Sequence, residues 1–195
     1  NSMGVMTMET LAEYCRTYTK LTAMQCELLK RMSICFPFAA DLTHAHVSVY
    51  AMASEPGHFV VLSHDKPHTI FSPAELASPG RVVPMIEEPL VSYTMRTGKP
   101  IHGKREWTFG SSLDMHTFAI HDGANVIAVV SFETSSEDIR VSGYAKLLET
   151  ARLILINARK NLERDMYRSI SSSDGIIITD NNNRIIFANI AAVRI

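Results

Sequence analysis

The feature that most limits what this chain can fold into is Asp122-Gly123, set between the apolar runs 115–121 and 125–132. Such a pair is a strong short-range hairpin signal, because the tight turn needs a positive φ that glycine accepts. Residues 125–132 are almost wholly apolar, which places them in a central strand. Two more strands are expected at 46–53, alternating around Val47, Val49 and Tyr50, and at 58–63, with Phe59, Val60, Val61 and Leu62. Glu55-Pro56-Gly57 supplies the turn between them. Helical periodicity on either side makes the fold class α+β, an antiparallel sheet flanked by long helices.

Residues 7–35 contain neither glycine nor proline, and Leu11, Tyr14, Tyr18, Leu21, Leu28 and Met32 recur at intervals of three, four or seven. This spacing predicts one long helix with a single apolar stripe, started near Thr7 and Thr10 and closed by Pro37. The stretch 66–84 carries four prolines and one glycine, and reads as an irregular loop. A helix over 87–97 ends at Gly98 and then Pro100, with a strand near 101–102. A last helix runs from 142 to about 169. Its residues Leu148, Ala151, Leu155, Ala158 and Leu162 follow a 3-4-3-4 seam, with Arg159, Lys160, Glu163 and Arg164 outside it. The seam reads as a dimer-forming signalling helix. The alternative is an amphipathic helix packed on its own domain. The tail offers a strand at 176–179, a polar turn at 180–183, a strand at 184–188 and Asn189 as a helix cap. That is too little to bury an apolar core. The 195 residues are therefore expected to stop inside a second domain.

Nineteen Lys and Arg against twenty Asp and Glu leave a net charge of -1, with no basic excess to neutralise nucleic-acid phosphates. No apolar run approaches the ~20 residues a membrane helix needs. Residues 1–6 lack the features of a signal peptide and read as a tag remnant or a disordered segment. Three cysteines, all in the first fifth of the chain, cannot close a disulfide framework, which fits a reducing cytoplasm. On one straight helix Cys15 and Cys26 would share a face about 16 Å apart, too far for a bond, and Cys35 would point the opposite way. All three read as core residues. His44 and His46 would share a strand face, and the other histidines have no motif spacing, so no metal site is assigned.

The tail from Asp174 to Ala192 resembles the opening of a PAS domain. The element order before it resembles a GAF domain. In particular it is similar to the GAF-like N-terminal domain of cytoplasmic bacterial sensor histidine kinases that run GAF-like, PAS, then kinase. The matching pieces are Ala40-Asp41-Leu42-Thr43, Phe59-Val60-Val61-Leu62 with Lys66-Pro67, and Glu88-Pro89-Leu90-Val91 with Thr97-Gly98-Lys99-Pro100-Ile101. Glu106-Trp107, Ala119-Ile120 and Val126-Ile127-Ala128-Val129 complete them. Tyr50 stands where these domains often have Trp, and Lys66 where they often have Arg.

The resemblance implies a GAF-like domain over 7–141, a signalling helix over 142–172 and an incomplete PAS domain over 173–195. It implies the sensory region of a two-component histidine kinase, with a homodimer, a small-molecule signal, a response-regulator partner, and ATP bound by a kinase core beyond this chain. No histidine here lies in a phosphoacceptor box, so no catalytic residue and no resident cofactor are expected. GAF pockets lie between the sheet and the loop-helix excursion, which makes Tyr50, Trp107, Phe109, His116 and Phe118 the expected pocket lining. The alternatives are the input region of a transcriptional activator or cyclic-dinucleotide enzyme, or a purely structural dimerisation domain.

Overall fold

The computed structural model describes residues 8–67, 78–108, 111–135, 144–160, 175–188 and 190–193. Where the periodicity predicts one N-terminal helix there are three: α1 (Met8–Tyr18), α2 (Ala23–Ser33) and α3 (Phe36–Thr43). The first break falls at Thr19, whose hydroxyl and amide both return to the Cys15 carbonyl, at 2.6 and 3.2 Å. Thr19 also bridges to Ala53. Thr22 then starts α2. Its hydroxyl accepts from the Gln25 amide at 3.2 Å, and the Gln25 side chain accepts from the Thr22 amide at 3.0 Å. This reciprocal box satisfies two donors that a helix start otherwise leaves open. Pro37 opens α3, where its missing N–H is harmless. His44 ends α3 in the left-handed region at φ 50°, so it does not share a strand face with His46.

Six strands form one sheet: β1 (His46–Met52), β2 (His58–Asp65), β3 (Val82–Pro84), β4 (Ile101–Thr108), β5 (Ser111–Asp122) and β6 (Asn125–Ser135). Their order is β3-β2-β1-β6-β5-β4, antiparallel throughout. The β5–β6 turn forms at Gly123-Ala124, one residue on from the expected pair, since Asp122 still pairs with Asn125 in the ladder; Gly123 takes φ 60°. Gln25 Nε2 donates to Asp122 at 3.0 Å and ties α2 to this turn. Between β3 and β4 lie a short 3-10 helix (Met85–Glu87) and α4 (Pro89–Thr97). Gly98 caps α4 at φ 69°. A Cβ there would stand 3.0 Å from the His121 ring, so both conformation and space call for glycine. After the sheet come α5 (Tyr144–Lys160), a hairpin of β7 (Ile177–Thr179) and β8 (Ile185–Ala188), and α6 (Ile190–Val193).

Strand alternation sorts the side chains onto two faces. Val47, Val49, Val60, Leu62, Val130 and Phe132 meet Leu29 of α2, Phe36 and Leu42 of α3, and Leu147, Ala151 and Leu155 of α5. The second face is smaller. Tyr50, Phe59, Val61, Met115 and Val129 pack against Val83 and against Val91 of α4.

This arrangement corrects the reading of α5 as an open seam. Leu148, Ala151 and Leu155 are 6%, 0% and 4% exposed, and α5 packs on α3 and α2 of the same chain. Ala158 is half-buried, and Leu162 lies outside the described residues. Phe187 of β8 is buried with its ring centroid 5.8 Å from that of His44, whereas Ile177 and Ile185 are exposed. Among the described residues no helix is long and apolar enough to cross a membrane.

Replacing Thr22 by alanine separates the broken helix from a continuous one. Loss of the cap is expected to lower the unfolding free energy in urea by about 1 kcal/mol. Inside a continuous helix the same change would be stabilising, because Ala is the better helix former.

Candidate functional site

A cleft of about 350 Å³ lies on the smaller face of the sheet. Tyr50, Val61, Val83, Leu90 and Met115 give it an apolar wall, and Arg81, Glu87, Lys104 and Glu106 add charges. Helix α4 approaches β4 closely here, since a Cβ on Gly103 would meet Leu90 Cδ2 at 3.0 Å. Thr94 and Thr117 hydroxyls, 2.6 Å apart, join α4 to β5 at the other end of the helix.

The chemistry of the cleft centres on Arg105. Its register opposite Leu113 turns it to the same face as Gly103 and Met115. One guanidinium nitrogen donates to Glu133 at 3.0 Å and to the Tyr50 hydroxyl at 3.4 Å, while the other donates to Glu88 at 2.5 Å. The Glu133 side chain is 0% exposed and that of Glu88 4%, against 24% for Arg105. Ser131 donates to the second Glu133 oxygen at 2.9 Å. Two buried carboxylates thus share one cation. Burial pushes Glu88 up to about 7, with Arg105 pulling it down and Glu133 and Glu87 pushing it further up. Burial, then Glu133 and Glu88, raises the Tyr50 phenol, so it stays protonated and available as a donor or acceptor.

Two histidine pairs flank this centre on opposite faces. His64 Nδ1 lies 2.9 Å from Ser48 Oγ and its Nε2 3.5 Å from His46 Nδ1. Burial, then His46, Lys66 and Arg105, holds His64 down at about 4. His102 and His116 stack at 4.1 Å, with His102 Nε2 3.2 Å from Asp114. His116 is also held at about 4, by burial and then by His102. Among the described residues no three His, Cys, Asp or Glu side chains converge as metal ligands.

Of the expected pocket residues, Tyr50 lines the cleft. His116 and Phe118 do not. His116 pairs with Phe132 across the strands and lies against Tyr144 of α5, and Phe118 stacks edge-on to Phe132 at 5.8 Å. Both point to the helix-covered face, because strand alternation sets them opposite to Met115. Phe109 and the side chain of Trp107 lie outside the described residues. Sequence reasoning missed Arg105, Glu88 and Glu133. The run Lys104-Arg105-Glu106 shows no alternation, and the available signal was only the lack of a glycine or proline from 104 to 108.

The profile of a family described as "Histidine kinase PdtaS, GAF domain" matches residues 11–151. The structure is similar to a solved sensor region of a sensor histidine kinase, at 20% identity and TM-score 0.64, over 95% of this chain and 67% of that one. It is also similar to an IclR homologue from Microbacterium hydrocarbonoxydans complexed with 4-hydroxybenzoate. There the identity is 12% and the TM-score 0.50, over 71% of this chain and 70% of that one. No curated protein matches the sequence.

Arg105→Ala is expected to lower stability by about 3–5 kcal/mol, because it leaves two buried carboxylates without a counter-charge. Glu88 supplies a pH test. Its folded value near 7 lies above its ordinary 4.5, so the folded chain holds a proton that the unfolded chain releases. That contribution is complete below the unfolded value and is lost as pH rises through about 7. Glu88→Gln should therefore gain stability relative to the parent as pH rises from about 5 to 8, read by urea denaturation at each pH.

Proposed function

Because this chain belongs to the histidine kinase PdtaS GAF domain family, we propose that it is the sensory input region of a two-component sensor histidine kinase. The observation that carries the reading is the cleft of about 350 Å³ with the Arg105 cluster in its wall. A small molecule there would bear on Arg105, and through it on Glu88 beside α4 and on Glu133 of the central strand β6. Helix α5 packs on the opposite face of that sheet. Occupancy of the cleft then biases the sheet between two packings that α5 carries onward.

In this proposal the hairpin at 177–188 is the start of a PAS domain, and the kinase core that follows binds ATP and passes phosphate to a response regulator. The assembly is a cytoplasmic homodimer, whose contacts involve residues other than Leu148, Ala151 and Leu155. A second reading makes the chain the input region of a transcriptional regulator. It is favoured by the likeness in fold to a putative transcriptional regulator from Rhodococcus sp. RHA1, at 10% identity and TM-score 0.50.

The test uses the full-length protein with ATP. Phosphate is expected on a histidine beyond this chain, and Leu90→Trp, which fills the cleft, should change the rate several-fold while the fold is retained. Absence of phosphohistidine would contradict the kinase reading, and an unchanged rate in the Trp variant would contradict the role of the cleft.

A further inference from the structure

The break between α1 and α2 has a chemical result. Cys15 lies four residues before Thr19, whose amide and hydroxyl it receives, and Cys26 lies four residues after Thr22, to whose carbonyl its own amide donates at 2.9 Å. Each cysteine is therefore one helical turn from the connection, and α1 packs against α2. Both thiols are buried in the same apolar cluster with Leu11 and Leu29, at 0% and 6% exposure. Helices packed with axes about 8–10 Å apart and a Cα radius of about 2.3 Å bring facing Cα atoms to roughly 3.4–5.4 Å. A disulfide needs about 4.4–6.8 Å.

We propose that Cys15 and Cys26 form an intramolecular disulfide when the protein meets a peroxide, clamping α1 to α2. Cys26 reacts first. It is the less buried thiol, while Cys15 is held protonated by burial and then by the hydrogen-bonded Cys26 beside it. The Cys26 thiolate attacks one peroxide oxygen, the O–O bond breaks, and with the thiol proton one water leaves, giving a sulfenic acid. The Cys15 sulfur attacks the sulfenic sulfur, the S–O bond breaks, and the Cys15 proton leaves with the hydroxide as a second water. Two thiols are oxidised and one peroxide is reduced. In a reducing compartment the bond is reversible by thiol exchange. The clamp sits where Thr19 bridges to Ala53 and where α2 packs on α5. An effect on output rests on the sensor reading above; formation of the bond does not.

The whole chain is treated with hydrogen peroxide, blocked with an alkylating agent and digested with trypsin without reductant. Cleavage after Arg16 and Lys20 separates the two cysteines. The expected product is a cross-linked pair holding Cys15 and Cys26, lighter by two hydrogens than the separate peptides. Dithiothreitol should abolish it, Cys26→Ser should abolish it, and Cys35→Ser should leave it intact. The oxidised protein should also melt at a higher temperature than the reduced one. Recovery of both cysteines as alkylated thiols, a bond to Cys35, or a bond between two chains would overturn the proposal. These outcomes leave the kinase reading untouched, because phosphohistidine formation is measured separately.

Discussion

The sharing of one guanidinium by two buried carboxylates is the constraint around which the smaller half of the domain is arranged. Arg105 of the edge strand β4 holds Glu133 of the central strand β6, and with its other nitrogen holds Glu88 at the start of α4. No hydrophobic contact could make this join so specifically, because apolar packing tolerates small shifts whereas a buried carboxylate without its partner is penalised by several kcal/mol. The cluster therefore fixes where α4 lies, and α4 fixes the opening of the cleft. A site built this way responds to charge and to hydrogen bonding as well as to shape.

The opposite face is held by ordinary burial. Val47, Val49, Val130 and Phe132 disappear beneath α2, α3 and α5, at roughly 1.5–3 kcal/mol for each large side chain fully removed from water. The division of labour matters for a sensor. Under the proposed function, the polar face rearranges with a bound molecule or a proton, while the apolar face stays packed and transmits the displacement to α5. The connection from Thr19 to Thr22 adds a second point of control, because it touches the β1–β2 turn at Ala53 and the β5–β6 turn through Gln25 and Asp122.

The hairpins and α4 were legible in the sequence because their signals are local: Asp122-Gly123 for the turn, Gly98 and Pro100 for the helix end, alternation for the strands. The break at residues 19–22 was not read from the sequence, because the apolar periodicity runs unbroken through it; the local signal for it is the Thr22 to Gln25 spacing of a capping box. Apart from Tyr50, the residues of the cleft were not legible. Glu88, Arg105 and Glu133 lie far apart in the chain and meet only because β4 runs to Thr108 and β6 to Ser135, beyond the ends that hydrophobicity marks. Polar residues inside a sheet look like loop in a single sequence. His116 and Phe118 show the complementary error, since aromatic character says that a residue is buried without saying on which face.

The most direct measurement is a double-mutant cycle between Arg105→Met and Glu133→Gln, followed by urea denaturation at neutral pH. If the shared ion cluster is the organising interaction, each single change destabilises the chain, and the double change costs less than their sum by about 0.5–3 kcal/mol. Additivity to within about 0.3–0.5 kcal/mol would contradict the account, because it would mean that the cation and the carboxylate do not depend on each other.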